Sequence, residues 1–216
     1  MEHQPFTVAE KRPIRPEMTV SRPAKLGSST GVSWFSLGAG TSITAESYDS
    51  PVLYLGAEGS AVFLLGREAK PVPLGAGEVL FVPPGTLCGV QSGEGAIYTE
   101  IIPEKELIMN NIVKSGEAFA LKDLISYEEG SIANLDVAHT DNMKFVLMAF
   151  DEGTGLTPHR APGNAILTAL EGKAIIGYEG KDYELNAGES FRFDKNGLHS
   201  VTAQGRFKMS LLLVLE

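Results

Sequence analysis

Few side chains in this sequence are suited to chemistry. Four histidines (His3, His139, His159 and His199) and one cysteine, Cys88, carry the groups that titrate or bind metal nearest neutral pH. Imidazoles can ligate a metal, shuttle a proton or anchor a ligand by hydrogen bonds. A lone cysteine excludes an internal disulfide and any multi-cysteine zinc site. No Walker loop, no Gly-x-Gly-x-x-Gly fingerprint and no Gly-x-Ser-x-Gly elbow occurs, so ATP, dinucleotide and serine-hydrolase chemistry lack support. The net charge of −9 argues against nucleic acid as a partner, since phosphate binding needs clustered Lys and Arg. Basic and aromatic residues also do not interleave in a stripe.

The elements that must position these groups are short. With 24 Gly and 12 Pro in 216 residues, one position in six is a turn former, which favours strands over long helices. The sequence also contains itself twice. At an offset of 113, Gly40-Thr41-Ser42-Ile43-Thr44 lies over Gly153-Thr154-Gly155-Leu156-Thr157, and Glu58-Gly59-Ser60-Ala61 over Glu171-Gly172-Lys173-Ala174. At an offset of 111, Leu74-Gly75-Ala76-Gly77-Glu78 lies over Leu185-Asn186-Ala187-Gly188-Glu189. The two-residue difference falls between Gly66 and Pro73, where a hairpin turn absorbs it at little cost.

The expected organisation is an N-terminal arm (1–17), a first unit (18–104) and a second unit (105–216), with the break near Pro103-Glu104-Lys105. The arm carries Lys11, Arg12 and Arg15 and reads as a solvated or packed terminal segment. Residues Ala118 to Ser126 are predicted as a short helix opening the second unit. Within the first unit, Val52–Leu55, Ala61–Leu65, Val79–Val82 and Ala96–Tyr98 read as strands. The second unit repeats them as Ala165–Leu170, Ala174–Tyr178, Ser190–Phe193 and Phe207–Leu215. Evenly spaced strands with turn residues between them predict an all-β antiparallel sandwich or jelly roll, which can hold one small ligand in its mouth. No apolar run approaches a membrane span, and the first 18 residues lack the apolar core of a signal peptide. A cytoplasmic protein without membrane association is expected.

Two motifs, each occurring twice, carry a resemblance. The segment Gly153–Gly172 reads GTGLTPHRAPGNAILTALEG and Gly188–Ala203 reads GESFRFDKNGLHSVTA. Their counterparts are GTSITAESYDSPVLYLGAEG, Gly40–Gly59, and GEVLFVPPGTLCGVQS, Gly77–Ser92. This pattern resembles the two motifs of the cupin superfamily over nearly the whole chain beyond the arm. The resemblance implies a bicupin: two tandem cupin barrels (jelly-roll, double-stranded β-helix folds) with a short helix between them.

In metal-binding cupins the motifs supply His-x-His, a Glu and a last His, a set that suits Fe, Mn, Ni, Cu or Zn. The second copy keeps His159 and His199 at the first and last positions, while Ala161 and Ala165 replace the other two. In the first copy the four positions hold Glu46, Tyr48, Val52 and Cys88. The resemblance therefore implies one residual site, His159 and His199, with Asn164 or a carboxylate as a candidate third ligand.

Three readings of the pair stay open: a weak divalent-metal site, a metal-free pocket with hydrogen-bonding or acid–base imidazoles, and two relic histidines in a filled barrel. Cys88 reads as an inert thiol, since a neighbouring carboxylate raises a thiol's pKa. Glu46 and Tyr48 either line a small polar pocket or belong to packing or surface. His139 reads as a surface or loop histidine. The expected function is binding of a small polar molecule in the second barrel. The alternative is a metal-dependent isomerase, dioxygenase or decarboxylase using the same two histidines. Cupins also pair through edge strands, so a homodimer is a further implied option.

Overall fold

The computed structural model describes residues 3–104 and 106–215. Strands dominate it. The first half carries a one-turn helix, α1 (Val8–Lys11), then β1 (Thr19–Pro23), β2 (Thr30–Leu37), β3 (Thr41–Glu46), β4 (Val52–Leu65), β5 (Lys70–Gly75), β6 (Glu78–Val82), β7 (Cys88–Ser92) and β8 (Ala96–Pro103). The connection holds β9 (Ile108–Met109) and β10 (Ala118–Ala120). The second half carries β11 (Ile132–Thr140), β12 (Met143–Phe150), β13 (Gly155–Arg160), β14 (Gly163–Glu171), β15 (Lys173–Tyr178), β16 (Lys181–Asn186), β17 (Ser190–Phe193), β18 (Leu198–Ala203) and β19 (Phe207–Leu215).

Two compact units result. In the N-terminal unit one path of paired strands runs β1-β2-β8-β4-β6-β10, and a second runs β3-β7-β4-β5, with β4 shared. In the C-terminal unit the sheets run β17-β14-β19-β12-β11-β9 and β13-β18-β15-β16. Strand for strand the orders correspond: β2-β8-β4-β6 to β12-β19-β14-β17, and β3-β7-β4-β5 to β13-β18-β15-β16. The alternation agrees as well. From the first residue to the last, β2 and β12 share one sequence of buried, half-buried and exposed positions. Period-two burial of this kind turns one sheet face to the core and fixes the register, because a one-residue slip would expose every apolar side chain. The cores are aromatic and aliphatic, with Phe63, Leu37 and Leu80 buried in one unit and Phe150, Phe191 and Phe207 in the other. Each such phenylalanine contributes about 2–3 kcal/mol by burial.

The two strands expected at 52–55 and 61–65 form one bent strand, β4. Its bend centres on Gly59, whose counterpart Gly172 separates β14 from β15. Both sit in the left-handed region, at φ 65° and 72°. A Cβ would lie 2.2 Å from the Gly95 carbonyl oxygen in one case and 2.1 Å from that of Arg206 in the other. Only glycine satisfies both constraints.

The expected helix over 118–126 does not form. Residues 118–120 are strand β10, and only Leu121–Asp123 make a turn of 3-10 helix. The cause is an open sheet edge: β10 pairs with β6, with Phe119 opposite Val79. Residues 111–120 therefore belong to the N-terminal unit, whereas the boundary read from the sequence gave them to the second. The arm behaves likewise. Residues 3–7 belong to the C-terminal unit, and Phe6 exchanges backbone hydrogen bonds of 2.9 and 2.7 Å with Ser190, the position matching Val79. Covering β6 and β17 satisfies backbone groups that would otherwise lie bare at the edge. Residues 8–17 lie with the N-terminal unit, where Ser36 Oγ donates to the Pro13 carbonyl at 3.1 Å.

Candidate functional site

The two motif histidines meet. His159 on β13 and His199 on β18 are direct cross-strand partners, with ring centroids 4.3 Å apart and planes inclined by 55°. A break in register between Leu156 and His159 brings them opposite one another. His159 is exposed and His199 is only 7% exposed, so the pair spans from surface to interior. Each ring is oriented by its own strand: His159 Nδ1 is 2.9 Å from the Thr157 carbonyl oxygen, and His199 Nδ1 is 2.9 Å from that of Gly197. A carbonyl only accepts, so each Nδ1 carries the proton, and each Nε2 of the neutral ring presents a lone pair. Phe193 stacks on His199 from below, at 4.3 Å and 23°. Burial pushes the His199 pKa below the usual histidine value, and the His159 ring adds to this; the Gly197 hydrogen bond opposes it. The buried ring is thus neutral at pH 7.

The surrounding turn is held by polar contacts. Asn164 Oδ1, on β14, accepts from the Lys195 backbone N–H at 3.0 Å, and so ties down the turn that leads into β18. Glu179 accepts from the Leu198 N–H at 2.6 Å, and Arg160 reaches both Glu179 and the Asn196 carbonyl. Among the described residues no third His, Cys, Asp or Glu joins the pair. Ala161 and Ala165 supply no donor. Two imidazoles fall short of the three or four protein ligands of a resident metal, so this donor set does not fit one. The other histidines lie apart from the pair. His139 is half-buried on β11, 3.1 Å from the Asp136 carboxylate. His3 packs against Tyr178, with centroids 4.6 Å apart, and lies 3.3 Å from the Asp194 carboxylate.

The N-terminal unit repeats this geometry with different residues. Glu46 on β3 is opposite Cys88 on β7, again after a break in register, here between Ile43 and Glu46. These are the positions of His159 and His199. The turn is repeated as well: Gly85 N–H donates to the Tyr48 carbonyl at 2.8 Å, as Asn196 N–H does to that of Ala161 at 2.8 Å. Beneath Glu46 and Cys88 lies a cavity of about 200 Å³. Tyr48, Tyr54, Tyr98 and Glu100 reach it, with Phe35 and Phe63 among its apolar walls. Tyr54 and Glu100 are cross-strand partners; the same positions in the C-terminal unit are Leu167 and Leu211.

Glu46, Tyr48 and Cys88 were visible in the sequence as motif positions. Tyr54, Tyr98 and Glu100 were missed. Their signal was a carboxylate in the apolar run Ala96–Ile102, where the second copy has Leu211. Glu100 is only 9% exposed. Burial pushes its pKa up to about 7 and the Glu46 carboxylate adds to this, while a hydrogen bond with Tyr54 opposes it. The Cys88 thiol is pushed up to about 11, by burial first and by Glu100 second, against a hydrogen bond with Tyr54. The expected inertness thus has burial as its main cause. Burial also raises Tyr48, Tyr54 and Tyr98, so all three phenols stay protonated at neutral pH.

Comparison with known proteins agrees with this architecture. Residues 146–215 match the Cupin domain family. Among solved structures, a Cupin 2 conserved barrel domain protein from Leptotrichia buccalis is 25% identical, with a TM-score of 0.87 over 99% of this chain and 98% of that one. A salicylate 1,2-dioxygenase from Pseudaminobacter salicylatoxidans is 11% identical, with a TM-score of 0.69 over 99% of this chain and 84% of the enzyme. At that identity the likeness is one of fold. No curated protein matches the chain. The cupin likeness rests on the family match over residues 146–215 and on the shared fold, and no helix among the described residues is long and apolar enough to cross a membrane.

Proposed function

We propose that this protein is a bicupin, built from two copies of one cupin unit, that binds a small polar molecule at His159 and His199 without a tightly held metal. The strand-by-strand correspondence of the two units, with matching register breaks before Glu46 and His159, supports the duplication. One observation carries the binding reading: both Nδ1 atoms are committed to backbone carbonyls. The pair therefore offers two acceptor nitrogens, one on the exposed His159 and one on the buried His199. A complementary ligand presents hydrogen-bond donors, such as vicinal hydroxyls or an amide. Phe193 supplies an apolar floor beneath His199. Neutral His199 keeps its acceptor at pH 7 and loses it on protonation, so affinity for such donors falls in acid.

The fold shared with salicylate 1,2-dioxygenase does not bring that reaction here, because Ala161 and Ala165 stand at two of the family's ligand positions. Elemental analysis of untagged protein and thermal-shift screening of polyols, amides and divalent metal chlorides test the reading together. Expected are substoichiometric metal and stabilisation by donor-bearing organic compounds that His159→Ala and His199→Ala both abolish. One retained metal per chain, lost in His199→Ala, would overturn it in favour of a metalloenzyme.

A further inference from the structure

The cavity of the N-terminal unit is built differently from a packing defect. A packing void is apolar and lined by aliphatic side chains. Here the walls are rings in contact with one another: Phe35 stacks on Tyr98 at 5.2 Å and 4°, and Tyr54 meets Phe63 at 4.5 Å. Phe63 and Tyr54 each meet Tyr98 in T-shaped contacts, at 5.4 and 5.8 Å. Two carboxyl groups, Glu46 and Glu100, face the space, and among the described residues no Lys, Arg or His lines it. Aromatic rings and carboxyl groups without a counter-cation among the described residues form an electronegative, partly desolvated space. A cation gains there from both the ring quadrupoles and the charges.

Volume decides what kind of cation. A water molecule occupies about 30 Å³, so a cavity of about 200 Å³ is several times too large for a bare ion. Its apolar walls (Ile43, Val90, Phe35 and Phe63) would also give a bare ion no replacement for its hydration shell.

We propose that the cavity bounded by Tyr54, Phe63, Tyr98, Glu46 and Glu100 is a binding site for a small organic ammonium ion, a primary amine or a methylated ammonium compound. Glu100 is the counter-ion and the rings form the cage. The site is independent of the histidine pair in the other unit and stands or falls separately from it. The groups that face Glu100 are Glu46 across the cavity, Tyr54 and Tyr98, Tyr48 and the Cys88 thiol; all are acids, and none supplies positive charge. An ammonium ion is the partner that would let Glu100 ionise in place. Binding near neutral pH therefore releases a proton, and affinity rises with pH until Glu100 ionises unaided.

Isothermal titration of the full-length protein with benzylammonium chloride and with tetramethylammonium chloride, at pH 6 and pH 8, tests this. Sodium chloride and sodium benzoate serve as controls. One saturable site per chain is expected, about tenfold tighter at pH 8 than at pH 6, since a carboxyl with a pKa near 7 is about one-tenth ionised at pH 6. Glu100→Gln should lose the binding, or at least its pH dependence. Should Glu100→Gln fail to fold, the wild-type protein gives a second readout: either ammonium ion should slow alkylation of Cys88, which lines the same cavity. Saturable benzoate binding that strengthens at pH 6, or no protection of Cys88 by either ammonium ion, would overturn the proposal.

Discussion

The two units place different residues on one geometry. At the paired strand positions one has Glu46 and Cys88 and the other His159 and His199, each pair following the same break in register. One layer deeper, Tyr54 and Glu100 face each other where the C-terminal unit has Leu167 and Leu211. Val82 in the first unit corresponds to Phe193 in the second, and Phe193 fills the space against His199. The C-terminal unit thus has a histidine pair against a buried aromatic cluster of Phe191, Phe193 and Tyr178. The N-terminal unit has an acidic rim over an aromatic cavity with a buried carboxyl. The backbone sets where side chains converge, and a handful of substitutions on it decide whether the convergence point is a basic acceptor pair or an acidic cage. Fold and site chemistry vary independently here.

The comparison can be broken at its backbone. Gly59→Ala and Gly172→Ala each force a Cβ onto a carbonyl oxygen at about 2 Å and a side chain into the left-handed region. Each should cost roughly 3–5 kcal/mol in chemical denaturation. Amide hydrogen exchange should place the loss in the mutated unit. A glycine tolerated in one unit and required in the other would sink the equivalence.

Next in size is the opposite pH response of the two units. Glu100 has a raised native pKa, so between pH 4.5 and about 7 the native state keeps a proton that the unfolded chain has released. Stability of the N-terminal unit therefore falls as pH rises through that window, by roughly 3 kcal/mol in all. Glu100→Gln should flatten that limb. Thermal or urea unfolding that is level from pH 5 to pH 8 in the wild type would contradict the assignment.

A comparable effect is expected in reactivity. With its pKa near 11 rather than the ordinary 9.0, Cys88 holds roughly a hundredfold less thiolate at pH 8 than an unperturbed thiol. Its reaction with a disulfide reagent should be slower by about that factor and recover on unfolding. Prompt labelling of the native protein would show that burial does not control it.

The smallest effect belongs to His199. Its native pKa is depressed, so on acidification below 6.5 the unfolded chain takes up the proton first. Stability of the C-terminal unit is therefore lost as pH falls, opposite in sign to the Glu100 effect. His199→Gln should remove that slope at a cost of about 1 kcal/mol for the Gly197 hydrogen bond at neutral pH. Imidazole NMR titration of the wild type checks the direction independently.

Much of the fold was legible because it is written in local periodicity. The strand Phe207–Leu215 appears with its predicted ends, and Ser190–Phe193 likewise, since short apolar or alternating runs bounded by turn residues report a strand directly. The stretch Ala118–Ser126 misled for the same reason. Its residues suit a helix, but a bare edge at β6 offers backbone partners that no local rule anticipates. The site was half legible. His159 and His199 were singled out by the resemblance to the cupin motifs, whereas Glu100 lay outside both motifs and is brought to Tyr54 only by the pairing of β4 with β8.

By itself the sequence determined the β class and set out the internal similarity at fixed offsets, and the motif resemblance singled out His159 and His199. The tertiary structure alone decided that the arm and residues 111–120 cover sheet edges, and that Cys88 and Glu100 share a desolvated cavity. Only in the folded chain do residues from β3, β4, β7 and β8 meet, and burial depends on that meeting. A carboxyl titrates near 7 because of what surrounds it in space, not because of its neighbours along the chain.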